Sequence, residues 1–377
     1  MKIAYLIKKL EYGGAEKQLM SVAQEQRRQG HEVLIITLQE PYRIFHDEMT
    51  NAGIAVHENR LESAFHLPRT AFSIYRDLLN FQPDVIHSHM FHANIVARLL
   101  YPFIRTPIFV STAHNIKEGG KLRDKLYRLT DPFCDVTTNV SKAAVQRYNA
   151  DGLVRNNACQ LIENGIYTKD FVADSASRER YRNSMGHNNK FVWLSVASLT
   201  KQKDFPNMLH AFKEASSRMP STHLLIAGDG PEKHAITQLI KSLGISDRVT
   251  LLGNRDDTCE LYSMADGFVM SSAWEGLPIV LLEALSSSLP CVVTDVGGNS
   301  DLVINEQCGY VVPPHSSTKL GEAMIRYMSL TEAEKDKYKL FARLHIIRNY
   351  DISHIAQAWI NLYVATNRQT FVNGSKP

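Results

Sequence analysis

The stretch SSAWEGLPIVLLEALSSSLPCVVTDVGGNSDLV, residues 271–303, decides the fold and points at the chemistry. It follows the β-rich run DGFVMSS, enters a helix at Pro278, where proline suits a first turn, and leads into a second β-rich run, PCVVTDV. Around that helix Ile279, Val280, Leu281, Leu282, Ala284 and Leu285 leave hardly any polar face, so the helix is expected to be buried. Strand, buried crossover helix and strand make the repeating unit of a parallel sheet.

Outward from this unit the same rhythm fills the chain. KIAYLI, EVLIITL, IAVHEN, DVIHSH, PIFVSTAH, DVTTNVS and CQLIENG read as strands of the first half, and FVWLSVASL, HLLIAGDG, RVTLLGN, DGFVMSS, PCVVTDV and GYVVPP as strands of the second. Between them residues 172–190, VADSASRERYRNSMGHNNK, are polar and nearly free of aliphatics, which suggests a boundary. The expected fold class is therefore α/β, with two Rossmann-like, doubly wound domains at 1–171 and 172–350 facing a central cleft. A third segment, 351–377, carries Ile352, Ile355, Ala356, Trp359, Ile360 and Tyr363 at helical spacing and is expected to pack back on the first domain.

Composition narrows the class. A chain of 377 residues is too long for one core to be the first expectation, and its net charge of +3 is too small to argue for nucleic acid. Five scattered cysteines, none in a CxxC pair, suggest neither a disulfide framework nor a zinc site and fit a reducing cytoplasm. The opening MKIAYLIKKLEYGG reads as a strand rather than a signal peptide, and no window approaches the ~20 apolar residues of a membrane span.

Two carboxylates stand in unusual surroundings. Glu283 lies on the apolar helix, where an unpartnered carboxylate would cost several kcal/mol, roughly, unless donors such as ligand hydroxyls satisfy it. Glu275 precedes the helix, so the free amides of the first turn would face whatever Glu275 contacts, an arrangement suited to a sugar on a diphosphate. On the residues alone, a helix cap for Glu275 and a buried ion pair for Glu283 stay open. Gly13 and Gly14 let backbone approach an anion at the next helix, or simply make a tight turn; the pattern is not GxGxxG. His87, His89, His92 and His114 cluster near two strand ends, as a core feature or as a metal site lacking a third ligand of matching spacing. Residues 117–133 place Leu122, Leu126 and Leu129 among Lys and Arg, either a solvated basic face or a contact for an anionic bilayer.

Glu275 and Glu283, with seven residues between them in EGLPIVLLEAL, resemble the signature of family 4 glycosyltransferases, which share the GT-B architecture. GGAEKQL (13–19), STAHN (111–115), ENG (163–165), QKD (202–204), GDGPE (228–232) and TDVGGNSD (294–301) agree and fall in the family's order across nearly the whole chain. The resemblance implies a retaining enzyme that moves a hexose or N-acetylhexosamine from a nucleotide diphosphate sugar, UDP favoured, to a glycan or lipid-linked hydroxyl. It implies that Glu283 binds ribose hydroxyls, Glu275 contacts the transferred sugar, His114 lies beside that sugar and Lys203 neutralises the diphosphate. Ser198 stands where the family usually has arginine, which leaves Lys201 or backbone amides to compensate. Gly13, Gly14, Gly276, Leu277, Pro278, Gly297 and Gly298 complete the expected donor set, and Glu16, His89 and Asn164 the acceptor side. With no Asp-x-Asp clamp in the chain, no metal or other cofactor is expected, and the acceptor chemistry suggests the inner face of the cytoplasmic membrane. Two rival readings are an epimerase or hydrolase on the same architecture and a catalytically silent nucleotide-sugar binder.

Overall fold

The computed structural model describes residues 1–104 and 106–372. The chain divides into two compact units: unit 1 comprises Met1–Gly165 with the C-terminal residues from Ile352, and unit 2 comprises Ile166–Asp351. Residues 373–377 of the expected tail lie outside the described residues.

Unit 1 contains β1 (Lys2–Ile7), β2 (Glu32–Thr37), β3 (Ala55–Glu58), β4 (Val85–His89), β5 (Ile108–Ala113), β6 (Val136–Asn139) and β7 (Gln160–Leu161). They pair in the order β3-β2-β1-β4-β5-β6-β7, every pair parallel. Unit 2 contains β8 (Phe191–Val196), β9 (Thr222–Ala227), β10 (Val249–Gly253), β11 (Gly267–Met270), β12 (Cys291–Thr294) and β13 (Gly309–Val312), in the order β10-β9-β8-β11-β12-β13, again all parallel. Crossover helices cover parallel sheets on both faces, which is why β4, β5, β9, β11 and β12 are buried along their whole length; β5, β11 and β12 read as unbroken apolar or small-residue runs, while β4 and β9 carry buried histidines. Both units are Rossmann-like.

The helix Ile352–Val372 returns to unit 1, as its apolar stripe requires. Trp359 lies 4.5 Å from the His87 ring, and the Tyr363 hydroxyl is 2.7 Å from His87 Nδ1. Leu362 is buried there, whereas the expected Ile360 is only half-buried.

The polar stretch 172–190 is not a linker. It lies inside unit 2, and the division falls after Gly165 rather than after residue 171. Asp174 caps a helix, Ser175–Met185, by accepting from the amides of Ala176 and Ser177, and Gly186 ends it in the left-handed region. This helix is held by polar bonds rather than an apolar stripe. Arg178 donates to the carbonyls of Ser263, Met264 and Ala265, and both Arg178 and Arg182 pair with Asp266. Its composition suggested a boundary because guanidinium groups, not leucines, hold this helix.

Candidate functional site

Open α/β sheets bind ligands beyond the carboxyl ends of their strands, where the strand order reverses. That point lies between β1 and β4 in unit 1 and between β8 and β11 in unit 2. Gly13 and Gly14 follow β1 and His89 ends β4, while Ser198 and Lys203 follow β8 and Glu275 follows β11.

In unit 2 the segment after β8 is strapped to the segment after β11. Ser271 Oγ donates to the carbonyls of Lys203 and Asp204, and the Ala273 amide donates to the Gln202 carbonyl. This brings Lys203 Nζ to 2.6 Å from Glu275 Oε1, which also accepts from Ser272 Oγ at 2.7 Å; Gln202 Nε2 reaches Glu275 Oε2 at 3.3 Å. Glu275 is only 5% exposed, so the pair is shielded from screening by solvent. The sequence reading gave Lys203 and Glu275 separate ligand-binding roles; the fold joins them in one ion pair. It did not foresee Ser272 and Gln202 as partners, although Gln202 stands in the QKD string.

Asp204, which follows Lys203, takes an uncommon backbone conformation. Its φ of 46° and ψ of 51° lie in the left-handed region, which favours glycine but which aspartate also visits. Its carboxylate is 2.9 Å from His315 Nδ1. Ser198 is exposed, as is Lys201, and neither takes part in the Lys203–Glu275 pair.

The third segment of this site follows β12. Gly297 has a φ of 59°, and a Cβ there would stand 2.4 Å from the Glu275 carbonyl oxygen, so a side chain would strain the backbone and collide. The Gly298 amide donates to the Gly276 carbonyl at 2.7 Å, and Thr294 Oγ1 to the Ser272 carbonyl at 2.7 Å. The Gly297–Gly298 loop thus clamps the backbone that carries Glu275, Gly276 and Leu277. Pro278 caps the next helix, Ile279–Ser286, one position outside it rather than within its first turn.

Glu283 sits on that helix and is 2% exposed, in agreement with the reading from its apolar neighbours. The expected hydroxyl donor comes first from the protein: Tyr262 donates to Glu283 Oε2 at 2.8 Å. Burial and the neighbouring carboxylate push the Tyr262 phenol well above its usual range, which keeps it a donor. Burial of Glu283 therefore does not by itself require a ligand. Tyr262 left no mark in the sequence that would set it apart from a core tyrosine.

In unit 1, Gly13 precedes the helix Gly14–Arg28 in extended backbone, and a Cβ on it would lie 2.1 Å from Glu16 Oε2. The Glu16 carboxyl folds back on the loop where an anion was expected, and burial raises it to about 7. Behind the loop, the Gly165 amide donates to Gln18 Oε1 at 2.9 Å, next to buried Asn164.

The histidines at the ends of β4 and β5 divide into two sets. His87 Nδ1 meets Tyr363 Oη at 2.7 Å and Nε2 meets Thr112 Oγ1 at 2.6 Å, so both nitrogens are engaged in the core. His89 Nδ1 lies 2.8 Å from His114 Nε2, while His89 Nε2 and His114 Nδ1 are buried without a protein partner. Burial lowers His114 to about 4 and His89 well below its ordinary value, so both imidazoles are neutral at pH 7. The His114 amide donates to Glu118 Oε1, and Tyr127 donates to the other carboxylate oxygen. No group of three or more His, Cys, Asp or Glu among the described residues is placed to share a metal.

Residues 12–170 match the model described as Glycosyltransferase Family 4, and residues 177–340 that of Glycosyl transferases group 1. The N-acetyl-alpha-D-glucosaminyl L-malate synthase of Bacillus anthracis is 26% identical over 85% of this chain and 88% of its own. The UDP-Gal:alpha-D-GlcNAc-diphosphoundecaprenol alpha-1,3-galactosyltransferase of Escherichia coli is 25% identical over 68% of this chain and 70% of its own. The structure of Anabaena Alr3699/HepE in complex with UDP and glucose superposes with a TM-score of 0.87 at 20% identity, covering 97% of this chain and all of the other. With both units matched in order and the GT-B fold in place, the chain belongs to the family 4, or group 1, glycosyltransferases, enzymes that transfer a sugar from a nucleotide sugar.

Proposed function

We propose that this chain is a retaining transferase that moves a hexose or N-acetylhexosamine from a UDP-sugar to a hydroxyl of a glycan or lipid-linked acceptor. The observation that carries the reading is the Lys203–Glu275 pair at the strand-order reversal of unit 2, with Glu283 on the helix that follows. Lys203 supplies a fixed positive charge for the leaving diphosphate, and Glu275 receives the transferred sugar beside it. Glu283, held by Tyr262, takes the ribose hydroxyls. UDP is favoured because the Anabaena neighbour is described with UDP and glucose and the Escherichia coli relative is named for a UDP-galactose donor.

Charge on the diphosphate is balanced by Lys203 and by amides at helix starts, so the proposal includes turnover that persists in excess EDTA. Unit 1 takes the acceptor, with Glu16, His89 and Asn164 on that side. The acceptor of the Escherichia coli relative is a lipid-linked diphosphate by name, and the helix Lys121–Thr130 exposes Leu122 and Leu129 among Lys121, Lys125 and Arg128. That face suits peripheral contact with the anionic inner leaflet; no helix among the described residues is long and apolar enough to cross a membrane.

The deciding experiment is a donor screen that follows nucleotide release and anomeric configuration, with and without lipid-linked acceptors. A UDP-sugar consumed only when acceptor is present, with retention, supports the proposal; release independent of acceptor identifies a hydrolase or epimerase instead. Glu275→Gln should lose most transfer yet melt within a few degrees of the parent, and near-normal turnover would remove Glu275 from the mechanism.

A further inference from the structure

Three aromatic rings stand together at the carboxyl edge of the unit 1 sheet, on the flank of β1 away from β4. Tyr12 follows β1, and Tyr42 and Phe45 follow β2. Ring centroids are 4.9 Å apart for Tyr12 and Phe45, 6.0 Å for Tyr12 and Tyr42, and 6.4 Å for Tyr42 and Phe45. The Lys9 ammonium lies 4.1 Å from the centre of the Tyr42 ring, and a Glu11 carboxylate oxygen is 3.8 Å from that ammonium.

The backbone fixes this cluster in place. The amides of Leu38, Gln39 and Tyr42 donate to the carbonyls of Ile7, Lys8 and Leu10 at 3.0, 2.8 and 3.0 Å, so the two loops run side by side. Leu10 beneath them is fully buried, yet Tyr12 is 68% exposed and Tyr42 42%. Scattered exposed rings need no explanation, but a contiguous cluster held by its own backbone marks a contact surface. It is an apolar platform rimmed by one cation and one carboxylate.

That rim selects the ligand's chemistry. An alkyl chain would cover the rings and leave both ions without water or partner, and an anionic headgroup would meet Glu11 as well as Lys9. A sugar ring suits both parts at once. Its C–H face lies flat on aromatic carbon, while its edge hydroxyls accept from Lys9 and donate to Glu11. Position then selects which sugar. Ligands of an open sheet sit where the strand order reverses, here between β1 and β4, and β2 lies beyond β1 by one strand spacing, about 5 Å.

We propose that Tyr12, Tyr42 and Phe45 form a second acceptor subsite, which stacks the sugar next to the one that receives transfer, so that the acceptor is a glycan of at least two residues. The assignment deepens the transferase reading and rests on it for unit 1 as the acceptor side. The platform touches no reacting atom; it selects acceptors by length.

The test measures binding of methyl glycosides to the full-length chain by calorimetry. The probes are the methyl glycosides of glucose, galactose and N-acetylglucosamine, each beside the disaccharide that ends in the same sugar: methyl maltoside, methyl lactoside and methyl chitobioside. At least one disaccharide should bind about tenfold more tightly than its monosaccharide. Tyr12→Ala should abolish that increment and leave the affinities for the monosaccharide and for UDP at parental values, which a loss of fold would not. Tyr12→Phe, which keeps the ring, should retain the increment. A panel in which no disaccharide exceeds its monosaccharide, or an increment that survives in Tyr12→Ala, overturns the proposal. Loss of co-sedimentation with anionic vesicles in Tyr12→Ala overturns it too, by handing the rings to a lipid surface. A chain that shows the Tyr12-dependent increment yet turns over no nucleotide sugar refutes the transferase reading and leaves the sugar platform standing.

Discussion

The two strand-order reversals solve the same problem in different ways. In unit 2 the polar atoms around the site are bonded to one another: Lys203 to Glu275, Ser272 to Glu275, Tyr262 to Glu283. In unit 1 they are left waiting, with an unpartnered nitrogen at each end of the His89–His114 pair and a buried Glu16 carboxyl raised to about 7. A self-satisfied site is rigid before its ligand arrives, which suits a constant ligand such as a nucleotide diphosphate. A site with open donors and acceptors takes its final form from whatever binds, which suits acceptors that differ from one family member to the next.

The largest effect should come from breaking the self-satisfied side. Lys203→Ala leaves Glu275 buried without its cation and should cost about 3 kcal/mol of stability and about a thousandfold in kcat. The double variant Lys203→Ala with Glu275→Gln should recover much of the stability in urea titrations but none of the turnover. Equal destabilisation by the single and double variants would show that the pair is not coupled.

On the open side, the sign is reversed. The unfolded chain releases the Glu16 proton near 4.5 and the folded chain near 7. Folding therefore binds a proton in between, and the stability Glu16 contributes is fully present below 4.5 and is lost as pH rises through 7. Glu16→Gln removes this dependence and should be more stable than the parent at pH 8 by about 3 kcal/mol, with the gap closing toward pH 4.5. Melting curves across that range check it; a gap that does not change with pH would mean that the carboxylate is well solvated, and one that widens on acidification that it is paired. Tyr262→Phe, back in unit 2, should cost about 1.5 kcal/mol by removing the donor to Glu283, with KM for the donor rising more than kcat falls.

Much of this comparison could be read from sequence, because its signals are local. The apolar ring around Glu283 announced its burial, and the strand runs announced two parallel sheets. What escaped was set by tertiary partners that carry no local pattern. Tyr262 comes from a different helix, and the Lys203–Glu275 pair depends on Ser271 and Gln202 tying two loops together. Residues 172–190 misled for the opposite reason: a helix held by Arg178 and Arg182 on Asp266 has no apolar stripe for periodicity to detect, although its Asp174 cap and Gly186 stop were in view.

The smallest effect on the fold tests how far the open character of unit 1 extends. Leu122 and Leu129 are 72% and 60% exposed on a helix whose inward side is held by Tyr127 and Thr130. Replacing both by Ser removes no core contact, so stability should change by less than about 0.5 kcal/mol. The apolar area they present is lost all the same, and with it the part of membrane affinity that basic residues alone cannot supply. Co-sedimentation with vesicles containing anionic lipid should fall for Leu122→Ser/Leu129→Ser, while turnover of a water-soluble acceptor stays at the parental rate. Unchanged sedimentation would confine the helix to a solvated basic face. A parallel loss of turnover with the soluble acceptor would tie these leucines to the acceptor site itself, through Tyr127 and its bond to Glu118 beneath His114.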